Sequence, residues 1–225
     1  MFADQVIDLD ALTTIERTQR ANRSPAGLRD RQKRERLDRI KRAARELFLE
    51  KGYDRTTLRM IGKRAKLGAG TILRYVEDKR ALLYLLFNED HQGVTQRALA
   101  ATKTSKSFID RNIDGFRPYY RYFGKHPELA RAILREATFY KPRWPSDTSA
   151  GEAAHRSIER IRHIVKAARE RREITSDAED ETISLLIFEI YQMEARRWLA
   201  GEDIQVEGGL RQLRKVLEVL IRGLR

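Results

Sequence analysis

Apolar side chains recur along this chain at spacings of three and four rather than two, so the pattern predicts helices and no strands. Leu37, Ile40, Ala43, Ala44, Leu47 and Phe48 form one stripe, with arginines and lysines on the other faces. That predicts an amphipathic helix over about 30–51, stopped by Gly52. Thr56 and Thr57 then supply a cap for a helix whose inner face is Leu58, Ile61 and Ala65. After the break Lys66-Leu67-Gly68, a second short helix is expected over about 69–76. Two short helices joined by a tight turn, with the small residue Gly62 where they cross, form a helix-turn-helix pattern. Glu77-Asp78 caps a long helix from Lys79. Further helices are expected at about 79–103, 106–124, 127–140, 152–173, 178–200 and 206–224. Residues 1–30 carry little apolar weight and include Asn22-Arg23-Ser24-Pro25-Ala26-Gly27, which predicts a mobile arm. The fold class is therefore all-α: a three-helix head over 31–80, with its motif at about 57–76, and a helical body over 81–225.

Charge sharpens that division. The 225 residues carry a formal net charge of +13. Residues 20–80 hold 20 basic and 8 acidic side chains, a net +12, whereas residues 1–19 are at −3 and residues 81–225 at +4. A compact basic helix-turn-helix before a near-neutral body is the electrostatic footprint of a nucleic-acid reader. The helical patterning of the block speaks against one amphipathic helix lying on a membrane.

The run from Arg36 to Leu86 resembles the DNA-binding domain of the tetracycline-repressor (TetR) family of bacterial transcriptional regulators. The resemblance rests on Ala43-Ala44…Leu47-Phe48, Lys51-Gly52-Tyr53, Thr56-Thr57, Ile61-Gly62…Ala65, Gly70-Thr71-Ile72, Tyr75 and Lys79…Leu82-Leu83. It runs in register over about a quarter of the chain. Lys66, Gly68, Leu73 and Val76 depart from the usual pattern, and Leu73 removes a hydroxyl that often touches a phosphate. The resemblance implies that Thr71 and Tyr75 contact DNA and that Lys79 pairs with a phosphate. From the residues themselves, Ala69 and Gly70 let backbone approach the duplex closely, and Arg74 is the long side chain placed to read a guanine or clamp a phosphate. Thr57 is expected to donate to the DNA backbone, to cap its helix, or both. The basic residues preceding the head either reach the DNA or form a solvated tail.

The body supplies three further patterns. Leu210, Leu213, Leu217, Leu220 and Leu224 follow heptad spacing, and the helix before them is apolar nearly all round, with Ile187, Ile190 and Tyr191. These residues are the expected homodimer interface, because a short-helix reader needs two half-sites for specificity. The resembled family pairs its last two helices into a four-helix bundle; an intrachain core is the competing meaning. Phe116, Tyr119, Tyr120 and Phe123 share one helical face, with Phe139 and Tyr140 downstream. They form either an aromatic core or the lining of a pocket for an apolar or aromatic effector. His155, Glu159 and His163 recur at every fourth residue, but without a further ligand no metal is assigned.

The absence of cysteine removes disulfides, thiolate metal sites and a cysteine nucleophile. The sequence has no run apolar enough to span a bilayer and no signal-peptide pattern, so a cytoplasmic, nucleoid-associated protein is expected. Scattered histidines and the lack of a phosphate loop or nucleophile motif speak against an enzyme, and no cofactor is expected. The reading is a ligand-responsive homodimeric repressor that binds double-stranded DNA at an inverted repeat. The alternative is a sequence-tolerant architectural DNA-binding protein without an effector.

Overall fold

The computed structural model describes residues 25–102, 107–137 and 149–223. Among them the regular structure is entirely helical: α1 (Pro25–Lys51), α2 (Leu58–Ala65), α3 (Ala69–Ile72), α4 (Lys79–Thr102), α5 (Phe108–Lys125), α6 (Pro127–Ala137), α7 (Ser149–Glu170), α8 (Asp180–Ala200) and α9 (Val206–Arg222).

Local sequence signals account for most boundaries. α1 begins at Pro25, five residues before the onset expected from periodicity. Proline is well placed in a first helical turn, where its missing N–H has no intrahelical partner anyway. Residues 25–30 of the expected arm are therefore helical, and residues 1–24 lie outside the described residues. Gly52, at φ +81°, takes the left-handed conformation that ends α1. The Thr56 hydroxyl then donates to the carbonyls of Leu47 (3.2 Å) and Gly52 (2.8 Å), closing the exposed end. Thr57 caps α2, its Oγ1 accepting from the Met60 N–H at 3.2 Å. Asp78 caps α4 by accepting from the Ala81 N–H at 2.7 Å. α3 is shorter than the expected 69–76. After Ile72 the chain tightens into bonds three residues apart, Arg74 N–H to Thr71 C=O and Tyr75 N–H to Ile72 C=O, and ends as a turn.

Two apolar cores form. The head core joins Ile40, Leu47 and Phe48 of α1 to Ile61 of α2, Ile72 of α3, Leu82 and Leu86 of α4, and Ala132 and Ile133 of α6. The body core joins Val94 and Ala98 of α4 to α5, α7, α8 and α9. Helix α4 thus runs through both, so apolar packing continues across the 80/81 division drawn from charge. Ion pairs brace the same joint. Arg45 of α1 holds Asp90 of α4 through two bonds of 2.7 and 3.0 Å, and the Tyr122 hydroxyl of α5 donates to Asp90 at 3.1 Å. Arg135 of α6 reaches Asp54 at 2.6 Å.

The heptad stripe of α9 packs inward. Leu210, Leu213 and Leu217 are fully buried within the single chain, as are Ile187 and Tyr191 of α8. This corrects the interface expected from spacing, because residues covered by their own chain cannot form its outer surface. Ile190 and Leu220 are half-buried, and Leu224 lies outside the described residues. The apolar side chains that do face outward on these helices are Leu185, Leu186, Met193 and Val219.

Candidate functional site

Helices α2 and α3 form one outer corner of the head. Ile61, Gly62 and Ala65 anchor α2 inward, and Ile72 anchors α3, so their remaining faces turn out. Lys66 stands at φ 55°, ψ 45° and links them, its N–H donating to the Gly62 and Lys63 carbonyls in the last turn of α2. This left-handed cap is a position that favours glycine. Gly70 is exposed, with nothing within 4 Å of where a Cβ would lie, so this backbone is open to a close approach. Ala69 opens α3 beside it. Thr57 is exposed at the head of α2 and Thr71 is half-buried. Arg74 projects into solvent, and Leu73 beside it is 53% exposed. Tyr75 packs its ring against the head core while remaining partly accessible.

Lys79 is more constrained than its motif position implies. Its ammonium donates to the Tyr53 carbonyl at 2.8 Å and the Asp54 carbonyl at 3.3 Å, and sits 4.2 Å from the Tyr53 ring centroid. Two of its three N–H donors are thereby committed to the loop between α1 and α2. Arg64 is drawn away as well, paired with Glu46 at 3.0 Å and Glu50 at 2.9 Å. Arg59, Lys63 and Lys66 stay exposed around the corner, and Arg34, Arg36, Arg39 and Arg42 line the exposed side of α1.

In the body, Phe116, Tyr119, Tyr120 and Phe123 lie together but as packed core. All four are buried, and Phe116 stacks on Tyr191 with centroids 4.3 Å apart. Tyr120 meets Trp198 at 4.7 Å. The expected aromatic pocket is thus filled by its own rings, and Phe139 and Tyr140 lie outside the described residues. A polar thread crosses this core: His91 Nδ1 to Thr95 Oγ1 (3.1 Å), Thr95 to the Tyr119 hydroxyl (3.4 Å), and Tyr119 to Ser157 (3.5 Å). Burial, aided by the charge of Arg156, pushes the His91 pKa down to about 4, so the ring stays neutral.

Among the described residues, two cavities border the body. One of about 720 Å³ opens at the head–body joint, between Arg45 and Leu49 of α1, Asp90 and Arg97 of α4, Tyr122 of α5 and Ile133 of α6. A smaller one of about 270 Å³ lies between the end of α4, α5 and α7, against Arg111, Arg160 and Arg171. Neither was picked out by the aromatic spacing. The readable signal for the second was Arg160 itself, a cation among Ser157, Ile161, Ile164 and Ala168 on the buried stripe of α7.

A short exposed helix held by a second one, on a basic head joined to a body that is helical among the described residues, is the helix-turn-helix arrangement of a DNA reader. The comparisons agree. Residues 40–84 match the bacterial regulatory proteins of the tetR family. The HTH-type transcriptional repressor Rv1474c of Mycobacterium tuberculosis is 28% identical over 134 residues, spanning 60% of this chain and 68% of that protein. The Thermus thermophilus FadR, a TetR-family transcriptional repressor solved with lauroyl-CoA, superposes at a TM-score of 0.60 with 26% identity, covering 79% of this chain and 92% of that one. The fold is shared with Bacillus subtilis FadR, solved with stearoyl-CoA, at a TM-score of 0.64 and 19% identity over 83% and 98% of the two chains. Over residues 40–84 the chain thus carries the pattern of the tetR family of bacterial regulatory proteins, and beyond it the helical fold is similar to that of TetR-family transcriptional repressors. No helix among the described residues is long and apolar enough to cross a membrane.

Proposed function

We propose that this protein is a ligand-responsive repressor that binds an inverted-repeat operator as a homodimer, with residues 31–80 reading DNA and residues 81–225 sensing the effector and dimerising. The observation that carries this reading is the outer corner with Thr57, Gly70 and Arg74 exposed and Thr71 and Tyr75 partly so, with open backbone at Gly70 and an uncommitted guanidinium; Ala69 opens the same short helix. Arg74 reads a base edge, the two threonines and Tyr75 hold the sugar-phosphate backbone, and exposed lysines and arginines add salt-sensitive affinity. Lys79 acts first as a brace for the α1–α2 loop and has one donor left for a phosphate.

The proposed interface between copies is the outward apolar set Leu185, Leu186, Met193 and Val219, flanked by the half-buried Ile190 and Leu220. A two-fold axis through such a patch buries each residue twice. The effector is a small molecule bound within the helical body, a reading supported by the similar Thermus thermophilus FadR, solved in complex with lauroyl-CoA. Binding would shift the population toward a conformer whose two heads no longer match successive major grooves.

The test is selection of bound fragments from random duplex DNA, followed by footprinting and by sedimentation of the complex. Two protected half-sites about one helical turn apart with two chains bound are expected. Equal affinity for selected and scrambled DNA at fixed salt would favour the sequence-tolerant architectural alternative.

A further inference from the structure

Arg160 occupies a position that ordinarily belongs to an apolar side chain. It is 3% exposed on the inner stripe of α7, and its guanidinium lies 4.9 Å from the Phe116 ring centroid. Nε, Nη1 and Nη2 are all buried without a hydrogen-bond partner. Arg111 nearby is different: its Nη2 donates to Glu173 at 2.7 Å. Burial lowers its pKa, and against that act the hydroxyls of Tyr119, which lies beside the guanidinium without reaching hydrogen-bond geometry, and of Tyr191, with no carboxylate among the described groups that act on it. An uncompensated buried cation is strongly destabilising, and such a group calls for an explanation in how the protein works.

The surroundings supply one. The cavity of about 270 Å³ abuts this guanidinium, with Leu99, Ile164 and Ala167 as its apolar wall and Arg111 and Arg171 as further cations. Gly115 of α5 keeps the space open. A Cβ there would lie 2.9 Å from Arg160 Cζ and closer still to Nη1, so any larger residue would displace the guanidinium. The larger cavity at the joint lacks this feature: its Arg45 is satisfied by Asp90, its Arg117 pairs with Glu207, and its Arg97, Arg121 and Lys125 are exposed.

We propose that this cavity is the anion-binding end of the effector site. Arg160 receives the carboxylate or phosphate of a small organic acid, and Leu99, Ile164 and Ala167 cover its apolar part. This rests on the ligand-responsive reading and names its ligand class. The volume suits a compact acid at the lower end of small-molecule sites. A bound anion would neutralise Arg160 in a low-dielectric setting, where a charge-assisted bidentate pair is strongest. It would also tie α4, α5 and α7 together at the end of α4 remote from the head.

The test is isothermal titration of the full chain, at fixed ionic strength and without DNA, with octanoate, octyl phosphate, 1-octanol and inorganic phosphate. Expected is one site per chain for octanoate or octyl phosphate, with 1-octanol at least tenfold weaker. Arg160→Gln should lower the affinity for the organic anion at least tenfold and leave 1-octanol unchanged; Arg160→Lys should keep part of it. Gly115→Ala, which crowds the guanidinium, should weaken anion binding too, and serves if Arg160→Gln does not fold. Equal binding of octanoate and octanol, unchanged anion affinity in both variants, binding of inorganic phosphate alone, or binding of none of the four would overturn the proposal. Operator release is measured separately. Anion binding without release would count against the ligand-responsive reading and leave the site standing.

Discussion

The assignment of inner and outer faces in α9 makes opposite demands on a leucine and a valine of that one helix. Leu213 has no exposed surface, so Leu213→Ala removes three buried carbons and leaves a cavity, at a cost of about 2–5 kcal/mol. In a chain of this size that lowers Tm by roughly 4–20 °C. Val219 is 68% exposed in the single chain, so Val219→Asp should change the stability of an isolated protomer by no more than about 0.5 kcal/mol. At a two-fold interface the same substitution appears twice and buries two unpaired carboxylates. At roughly 1.5 kcal/mol each, the dimer loses about 3 kcal/mol and its Kd rises more than about a hundredfold. Sedimentation velocity over a dilution series, paired with urea unfolding, separates the two effects. Leu213→Ala is expected to lower the urea midpoint and keep the dimer Kd; Val219→Asp is expected to do the reverse. A Leu213→Ala protein with an unchanged midpoint and a weakened dimer would refute the placement of the heptad stripe inside the chain.

Three further outcomes are expected. Arg74→Ala should cost about 1–3 kcal/mol of operator affinity and relax sequence preference at one base pair per half-site, read by competition binding against single-position operator variants. The adjacent glycines of α9 should respond with opposite signs in thermal melts. Gly208→Ala has room, with its nearest neighbours at 3.7 and 3.8 Å, and should stabilise by about 0.5–1 kcal/mol. Gly209→Ala would place a Cβ 2.6 Å from Tyr120 Cε1 and 2.9 Å from Trp198 and should destabilise. His91, held neutral with a folded pKa of about 4 against 6.5 for the free side chain, means that the unfolded chain binds a proton more readily. Its contribution to stability is full above about pH 6.5 and is lost as pH falls toward 4, amounting to about 3 kcal/mol. Urea unfolding from pH 7 to 4 should show a shallower loss in His91→Asn than in the unaltered protein.

Most of the fold was legible because its punctuation is local. Thr57 and Asp78 cap the helices they precede, Gly52 ends the one before it, and the inner stripe from Ile40 to Phe48 follows from spacing alone, though Leu37 at its expected start lies outside the core. The length of α3 was not legible, because its end is set by where Ile72 and Val76 seat in the head core. Heptad spacing at Leu210, Leu213 and Leu217 reads the same whether the partner helix belongs to the same chain or to another. The aromatic face of α5 was equally ambiguous, since rings fill a core and line a pocket at the same periodicity. Of the candidate DNA-contacting residues, Arg74 and Thr57 stand where the motif places them in the open. Lys79 could not be read as a brace from sequence, since the carbonyls it holds lie 25 and 26 residues away.

Helix α4 has a leverage of its own. Its 24 residues, at 1.5 Å each, make a rod about 36 Å long. One end begins at Lys79, clasped to Tyr53 in the head, and the other closes over the Arg160 cavity. A tilt of only about 5° pivoting at the far end carries the head end sideways by about 3 Å, close to the 3.4 Å step between stacked base pairs. In a two-fold assembly the two rods swing in opposite directions, so the spacing between the heads changes by nearly two steps. A rearrangement smaller than one side chain is thus geometrically enough to take a matched pair of reading heads out of register.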